Sequence, residues 1–402
     1  VILELSAETD YEFKVLVGDG SDGNNYWSCT ACGKATNTVD PWQQLYSNQN
    51  NWSMTTGEAG EYMFHWNNDT HYLGIYYPQT RLTKNTVLYL NVSNETYWNK
   101  NTFDAKFWLK YYDSGSDYSN TPLVCSTPVE TNVYYVTIPN NDWLGRVQVE
   151  RWKNGSQDGH AEVSYAFNRS SSAQNCLKEE TGKTDYKDSW TPQWDTYCPP
   201  MSKPTLSDNS PTTYGGNGTS GSPYLVAAGS TITFTASGST SSVNDANMTA
   251  KYQFKDGATS KQDGIGTSYT HTVSSTNNAN HTIAVEAYNY YNSVSSNHTA
   301  SDAIYYQART IYDITYNKGT YGEGDQIVEK KADGVAKALR GSGSFTRTGY
   351  NQTAWNTNPA GTGGTNYALS ASYTGNAALT VYPTLTAKDY TINLANMEAT
   401  TR

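Results

Sequence analysis

The sequence predicts an all-β chain built from small sandwich-type modules in tandem. Three observations carry this. The side chains are those that strands prefer: 34 Tyr and 11 Trp against 8 Phe, suited to pleated, half-wet surfaces rather than helices. Short alternating apolar runs recur along the chain between Gly-, Asn- and Pro-rich turns. At 402 residues there is room for about three or four domains of ordinary size.

The first module is expected over 1–78. Residues 11–17 read as a strand ending in the turn-rich 18–25. Residues 63–66 and 71–76, separated by Asn67-Asn68-Asp69-Thr70, read as a hairpin closed by Tyr77-Pro78. A second module follows over 79–198, with strands at 87–90, 107–112 and 146–152. In the last of these, Val147 and Val149 alternate with Gln148 and Glu150, the mark of a strand with one wet face. Composition then shifts: ten of the eleven Trp precede residue 195, and Trp355 stands alone beyond it. Pro199-Pro200-Met201-Ser202-Lys203-Pro204 reads as a stiff linker. It opens a third module, 199–308, with strands at 231–235, 250–254 and 282–287, spaced as in a small sandwich. The fourth unit covers 309–387. Residues 325–340 form the one expected helix, with Ile327, Val328, Ala332, Val335, Ala336 and Leu339 near one face and Gly334 weakening it. Tyr312-Asp313-Ile314-Thr315-Tyr316 is echoed at Tyr390-Thr391-Ile392-Asn393-Leu394. The stretch 388–402 is therefore expected to begin a further repeat, and the chain to be a processed or partial piece of a longer array.

Composition excludes several classes. Disordered chains carry more charge and fewer rings than the 16 % charged and 13 % aromatic residues here. No apolar run approaches the ~18 residues of a membrane-spanning helix. A net charge of −10 with only 27 Lys and Arg leaves no basic footprint for nucleic acid.

The five cysteines all lie in the first half. Cys29 and Cys32 form a C-x-x-C pair. No second pair or suitably spaced His completes a zinc site, and no βαβ context supports a thioredoxin-like reading. A local disulfide, two free thiols and a metal site all remain open for that pair. Cys125 is a candidate to pair with Cys176 or Cys198, and one cysteine is left over.

Phe345-Thr346-Arg347-Thr348-Gly349-Tyr350, then Ala354-Trp355-Asn356-Thr357, a Gly/Thr turn at 361–365 and Tyr367 resemble the Listeria–Bacteroides repeat, also called the internalin B-repeat. Gln352-Thr353-Ala354 and Val381-Tyr382-Pro383 depart from that pattern. The resemblance covers about 310–387 and implies a small β-grasp-like repeat of bacterial surface stalks. Leu5-Ser6-Ala7, residues 11–15 and Trp27 resemble sandwich modules of outer-membrane starch-binding proteins. Residues 214–224 resemble the opening of Ig-like modules in large secreted Bacteroidetes surface proteins. The implied fold class is all-β: tandem small β-sandwich modules, Ig-like or carbohydrate-binding-like, followed by a β-grasp-like repeat.

The expected function is an extracellular, cell-surface adhesin or extended stalk. Its expected partners are glycans or surface proteins, with self-association into a filament or surface layer as the alternative. Sugar-binding sandwiches stack pyranose rings on exposed aromatics. Trp27 and Trp52, flanked by Ser and Asn, are the leading candidates, with Trp42 and Tyr26 beside them. Core packing is the competing use of each ring. Residues 19–24 lack the spacing and distal Glu of a calcium loop. No nucleophile elbow, phosphate loop or zincin motif occurs, so no enzyme, catalytic residue, metal or cofactor is expected. A polysaccharide-acting accessory region stands third.

Overall fold

The computed structural model describes residues 1–13, 15–16, 26–28, 42–44, 46–47, 52–67, 72–78, 81–93, 105–112, 123–125, 127–143, 146–160, 164–165, 169, 171–178 and 193–391. Among them there is no α-helix, and every extended regular element is a strand. No helix is long and apolar enough to cross a membrane. The all-β expectation holds, as do the strands justified above where they are described.

The chain divides into two compact units. The first comprises 1–202, 239–251 and 287–299. Its four-stranded sheet is ordered Ile2–Leu5, Gly60–Asn67, Tyr72–Tyr76, Trp42–Gln44. The expected hairpin is its centre, with Met63 opposite Tyr76 and Trp66 opposite Leu73. Met54, Tyr62, Leu73, Ile75 and Tyr77 bury together, and Trp66 packs against them. Two five-stranded sheets follow. Around them Leu88, Leu90, Tyr134, Val136, Ile138, Val149, Leu177 and Trp194 form the larger core.

One expectation fails in this unit. The strand Arg146–Lys153 has no wet face over its second half: Gln148, Glu150 and Arg151 are buried along with Val149. The polar side chains are accommodated by partners. Trp152 Nε1 donates to Glu150 Oε2 at 2.8 Å, and Arg151 pairs with Asp158 on the adjacent strand. The start of the expected linker is packed. Met201 is buried and bridges to Ser241, and Asn289 Nδ2 donates to Pro199 O at 2.7 Å.

The second unit comprises 203–238, 252–286 and the chain from 300 onward. One three-stranded sheet is ordered Thr205–Asp208, Thr231–Ser237, Ser268–Thr272. The facing set runs Tyr224–Ala227, Ile304–Arg309, Asn280–Tyr291, Thr249–Asp256, Thr259–Gly264, of which 249–251 and 287–291 are counted with the first unit. Strict alternation buries Ile232, Phe234 and Ala236 from one side and Ile283, Val285, Tyr306 and Ala308 from the other.

The C-terminal sheet is ordered Ile327–Ala332, Ile311–Tyr316, Leu379–Ala387, Tyr350–Asn356, Asn366–Ala368. Its first and last long strands are parallel neighbours at the centre, the β-grasp-like arrangement. The expected helix over 325–340 is absent. Ile327–Ala332 is a strand whose burial alternates and which pairs with Ile311–Tyr316. Gly334 turns the chain with φ +69°, a left-handed conformation that no helix interior admits. Lys337–Ala338 then pairs with Ser372–Tyr373. The apolar spacing that mimicked a helical stripe belongs to two strands and the turn between them.

Candidate functional site

The four aromatic candidates lie on three sheets rather than one. Tyr26 and Trp27 share a short strand, opposite Leu16 and Val15. Trp42 pairs across from Gly74, and Trp52 pairs across from Phe13. Their side chains lie outside the described residues, as do Cys29 and Cys32 entirely. Cys125 is a free thiol, so the pairings of Cys125 with Cys176 or Cys198 are not formed. Burial pushes the Cys125 thiol up to about 12 and the Cys198 thiol up to about 11. Both are inert thiols of a packed interior. Cys176 is also buried, and its Sγ lies 3.5 Å from Leu177 O.

Two features of the second unit were not anticipated. The first is a pair of parallel clamps. In the sandwich, Tyr224–Ala227 runs parallel to the module's last strand: Tyr224 faces Tyr306, Leu225 Gln307, Val226 Ala308 and Ala227 Arg309. In the C-terminal module the first strand runs parallel to the last: Ile314 faces Leu379, Thr315 Thr380 and Tyr316 Val381. Parallel neighbours need a long crossover connection. An early strand and a late strand therefore lie side by side while pointing the same way. The start of one and the end of the other fall at opposite ends of the sheet.

Only Thr310 separates the strands Ile304–Arg309 and Ile311–Tyr316, so the chain leaves one module extended and enters the next at once. Asn277 holds this junction. Its Oδ1 accepts from Thr310 N–H at 3.0 Å, and its Nδ2 donates to Asp333 Oδ2 at 2.9 Å. Asp333 N–H donates to Thr310 O at 2.9 Å, and Tyr312 Oη donates to Asp333 Oδ1 at 3.3 Å.

The second feature is a cluster of half-buried Asp256 with buried His271 and His281, whose ligand-capable atoms lie within 4.8 Å of one another. The donor set would suit a divalent transition ion. The hydrogen bonds argue for a different occupant, a proton. Ser274 N–H donates to His281 Nε2 at 3.0 Å, so Nε2 is the bare nitrogen and the ring proton sits on Nδ1. That proton points at Asp256 Oδ2, 2.8 Å away, and is shared with His271 Nε2 at 3.2 Å. The Nδ1 of His271 then faces Tyr269 Oη at 3.1 Å. A metal on Nδ1 of His281 would leave that ring without any proton. Burial, then the neighbouring His281, holds the His271 imidazole below its ordinary value, against the opposing pull of Asp256. For Asp256, burial pushes upward, but hydrogen bonds from His281 and the Thr282 amide prevail and hold it below the ordinary carboxylate range.

None of these residues carries a local sequence signal. Asp256, His271 and His281 come from three strands, and Asn277 and Asp333 from two turns. The family-like motif, in contrast, is a core. Phe345 and Trp355 are buried beside Ile314, Tyr316 and Val381, with Tyr367 packed against them. Trp355 Nε1 donates to Arg340 O at 2.7 Å. The departure at Gln352-Thr353-Ala354 coincides with a register shift against the strand Leu379–Ala387.

No protein-family model matches the chain, and no curated protein matches it. Three solved structures illustrate what it is similar to. Fibronectin(III)-like modules of Clostridium thermocellum CbhA are 11 % identical, over 56 % of this chain and 90 % of theirs, with a TM-score of 0.19. BcpA, the major pilin subunit of Bacillus cereus, is 8 % identical over 75 % of this chain and 99 % of its own, with a TM-score of 0.19. The FN1–FN3 domains of chicken CNTN1 are 9 % identical over 71 % and 85 %, with a TM-score of 0.19.

Proposed function

We propose that this chain is a non-enzymatic segment of an extracellular multidomain surface protein, working as an extended stalk or adhesin that bears tension. The observation that carries the reading is the parallel clamp, present twice in the second unit. Pulling the chain ends apart drags parallel neighbours past each other along their axes. Every rung of the ladder is then loaded at once, whereas an antiparallel hairpin unzips one rung at a time. The extended junction at Thr310, tied by Asn277 and Asp333, suits the same task by passing force directly from one clamp to the next. Membership of 310–387 in the Listeria–Bacteroides repeat family is part of this proposal, supported by the packing of Phe345, Trp355 and Tyr367. Glycan binding by Tyr26, Trp27, Trp42 or Trp52 would make the stalk an adhesin.

One observation favours the filament alternative. Among the described residues Ile2–Leu5 lies at the edge of its sheet, and Ile2 and Leu3 on it are exposed, as is Val1 just before it. Such an edge is a ready template for another strand. Negative-stain electron microscopy across a dilution series separates the two readings. Single strings of beads at every dilution support the stalk. Ordered filaments that persist on dilution would replace it with a filament subunit.

A further inference from the structure

We infer that the cleft between the turns at 317–322 and 358–363 of the C-terminal module binds an acidic saccharide, a uronate-type sugar. This inference is independent of the stalk reading. The cleft offers about 290 Å³ and is lined by Lys318, Tyr321, Arg347, Pro359, Thr362 and Thr384, among others.

Three properties point to the ligand. Tyr321 is 54 % exposed, an unusual position for a ring, and it presents an apolar face for the C–H side of a pyranose. Its orientation is held by Arg347, whose guanidinium lies 5.1 Å from the Tyr321 ring centre and 4.0 Å from that of Tyr350. Stacked in this way, the guanidinium keeps its in-plane N–H groups for a planar carboxylate.

The second property is charge. Among the described residues neither Lys318 nor Arg347 has a carboxylate within 4 Å, whereas Lys203, Lys255, Lys330, Lys337 and Arg340 each have one. In a chain where 37 acidic residues outnumber 27 basic ones, two uncompensated cations facing one cleft mark a place for an anion. A neutral sugar would use the ring and leave both cations idle. A bare phosphate would use the cations and leave the ring idle. A uronate engages both.

The third property is rigidity. Thr320 N–H donates to Pro359 O at 2.9 Å, and Thr384 Oγ1 donates to Gly361 O at 3.0 Å. A Cβ on Gly319 would lie 2.5 Å from Pro359 O, so the backbones touch where only glycine fits. The two turns are locked together before any ligand arrives, which removes the ordering cost of binding.

Titration of the whole chain with oligogalacturonate, with maltohexaose as the neutral control and sodium phosphate as competitor, tests this. The expected result is saturable oligogalacturonate binding that weakens as salt is raised. Tyr321→Ala and Lys318→Gln should each weaken it about tenfold with an unchanged melting temperature, since both side chains are exposed. No binding of oligogalacturonate overturns the inference. So does equal binding of maltohexaose, which would remove the role of the cations. Binding that neither variant weakens would place the ligand elsewhere on the chain, and full competition by phosphate with no effect of Tyr321→Ala would reduce the cleft to a plain anion site. Either result also overturns it.

Discussion

Asn277 Nδ2 donates to Asp333 Oδ2 at 2.9 Å, joining the loop that precedes one sandwich strand to the turn that follows a strand of the next module. The same Asn277 side chain accepts from Thr310 N–H at 3.0 Å. One amide therefore satisfies the single residue between two modules and a carboxylate beyond it. The junction is fixed by hydrogen bonds in an extended chain.

Replacing Asn277 with Ala should loosen the junction and leave both modules folded. The lost bonds are worth about 1–2 kcal/mol together, with the Asp333 carboxylate left short of a donor. Limited proteolysis checks this: cleavage near Thr310 should speed up while the melting transitions move by only a few degrees.

The Asp256–His271–His281 cluster makes the sandwich sensitive to acid. The folded value for His271 lies below its ordinary 6.5, so the unfolded chain takes up that proton first. Stability from this group is complete above pH 6.5 and is lost as pH falls from 6.5 through the folded value, at up to about 1.4 kcal/mol per pH unit. Asp256 is held below 3.8, so its contribution is present above 3.8 and is lost as pH falls through its folded value. Melting temperatures from pH 8 to pH 5 should fall for the native chain and flatten for His271→Gln, whose side chain binds no proton in that range.

Trp355 should be the most costly single truncation in the C-terminal module. It is fully buried and its indole N–H meets Arg340 O at 2.7 Å. Trp355→Ala removes the ring and orphans that carbonyl, at about 3–5 kcal/mol. Urea unfolding followed by circular dichroism should show one transition moving to lower denaturant while the others stay.

Gly361 and Gly343 both have left-handed backbone, φ +75° and +92°. A Cβ on Gly361 would lie 2.8 Å from Pro383 O, whereas nothing lies within 4 Å of one on Gly343. Alanine at either position pays the conformational strain, about 1 kcal/mol, and only Gly361→Ala adds a backbone clash. The difference between the two melting temperatures isolates the clash, and Gly361→Ala should be clearly the lower.

Strand content was legible because its signal is local. In residues 231–235 apolar and polar side chains alternate, and that alone places Ile232 and Phe234 inside. The failure at 325–340 has the same origin. Val335 and Leu339 sit at helical spacing from Ala332, and only the left-handed turn at Gly334 shows that they belong to another element. The buried polar strand at 148–151 misled for a different reason: whether Glu150 and Arg151 face water depends on Trp152 and Asp158 being in place, a tertiary fact. The clamps and the junction were illegible because parallel pairing joins residues 65 and 82 positions apart, and no short motif encodes which strand lies beside which. The aromatics gave a candidate list, Tyr26, Trp27, Trp42 and Trp52, but the spacing of rings in sequence did not reveal that they occupy three sheets.

Single-molecule pulling of the whole chain by its two ends reads out the tension-bearing role proposed for the second unit. The expected trace contains abrupt, all-or-none ruptures, each lengthening the chain by roughly 200–300 Å as one clamped module opens, at forces well above those that unzip hairpins. A smooth extension at low force, with no discrete ruptures of that length, would contradict it.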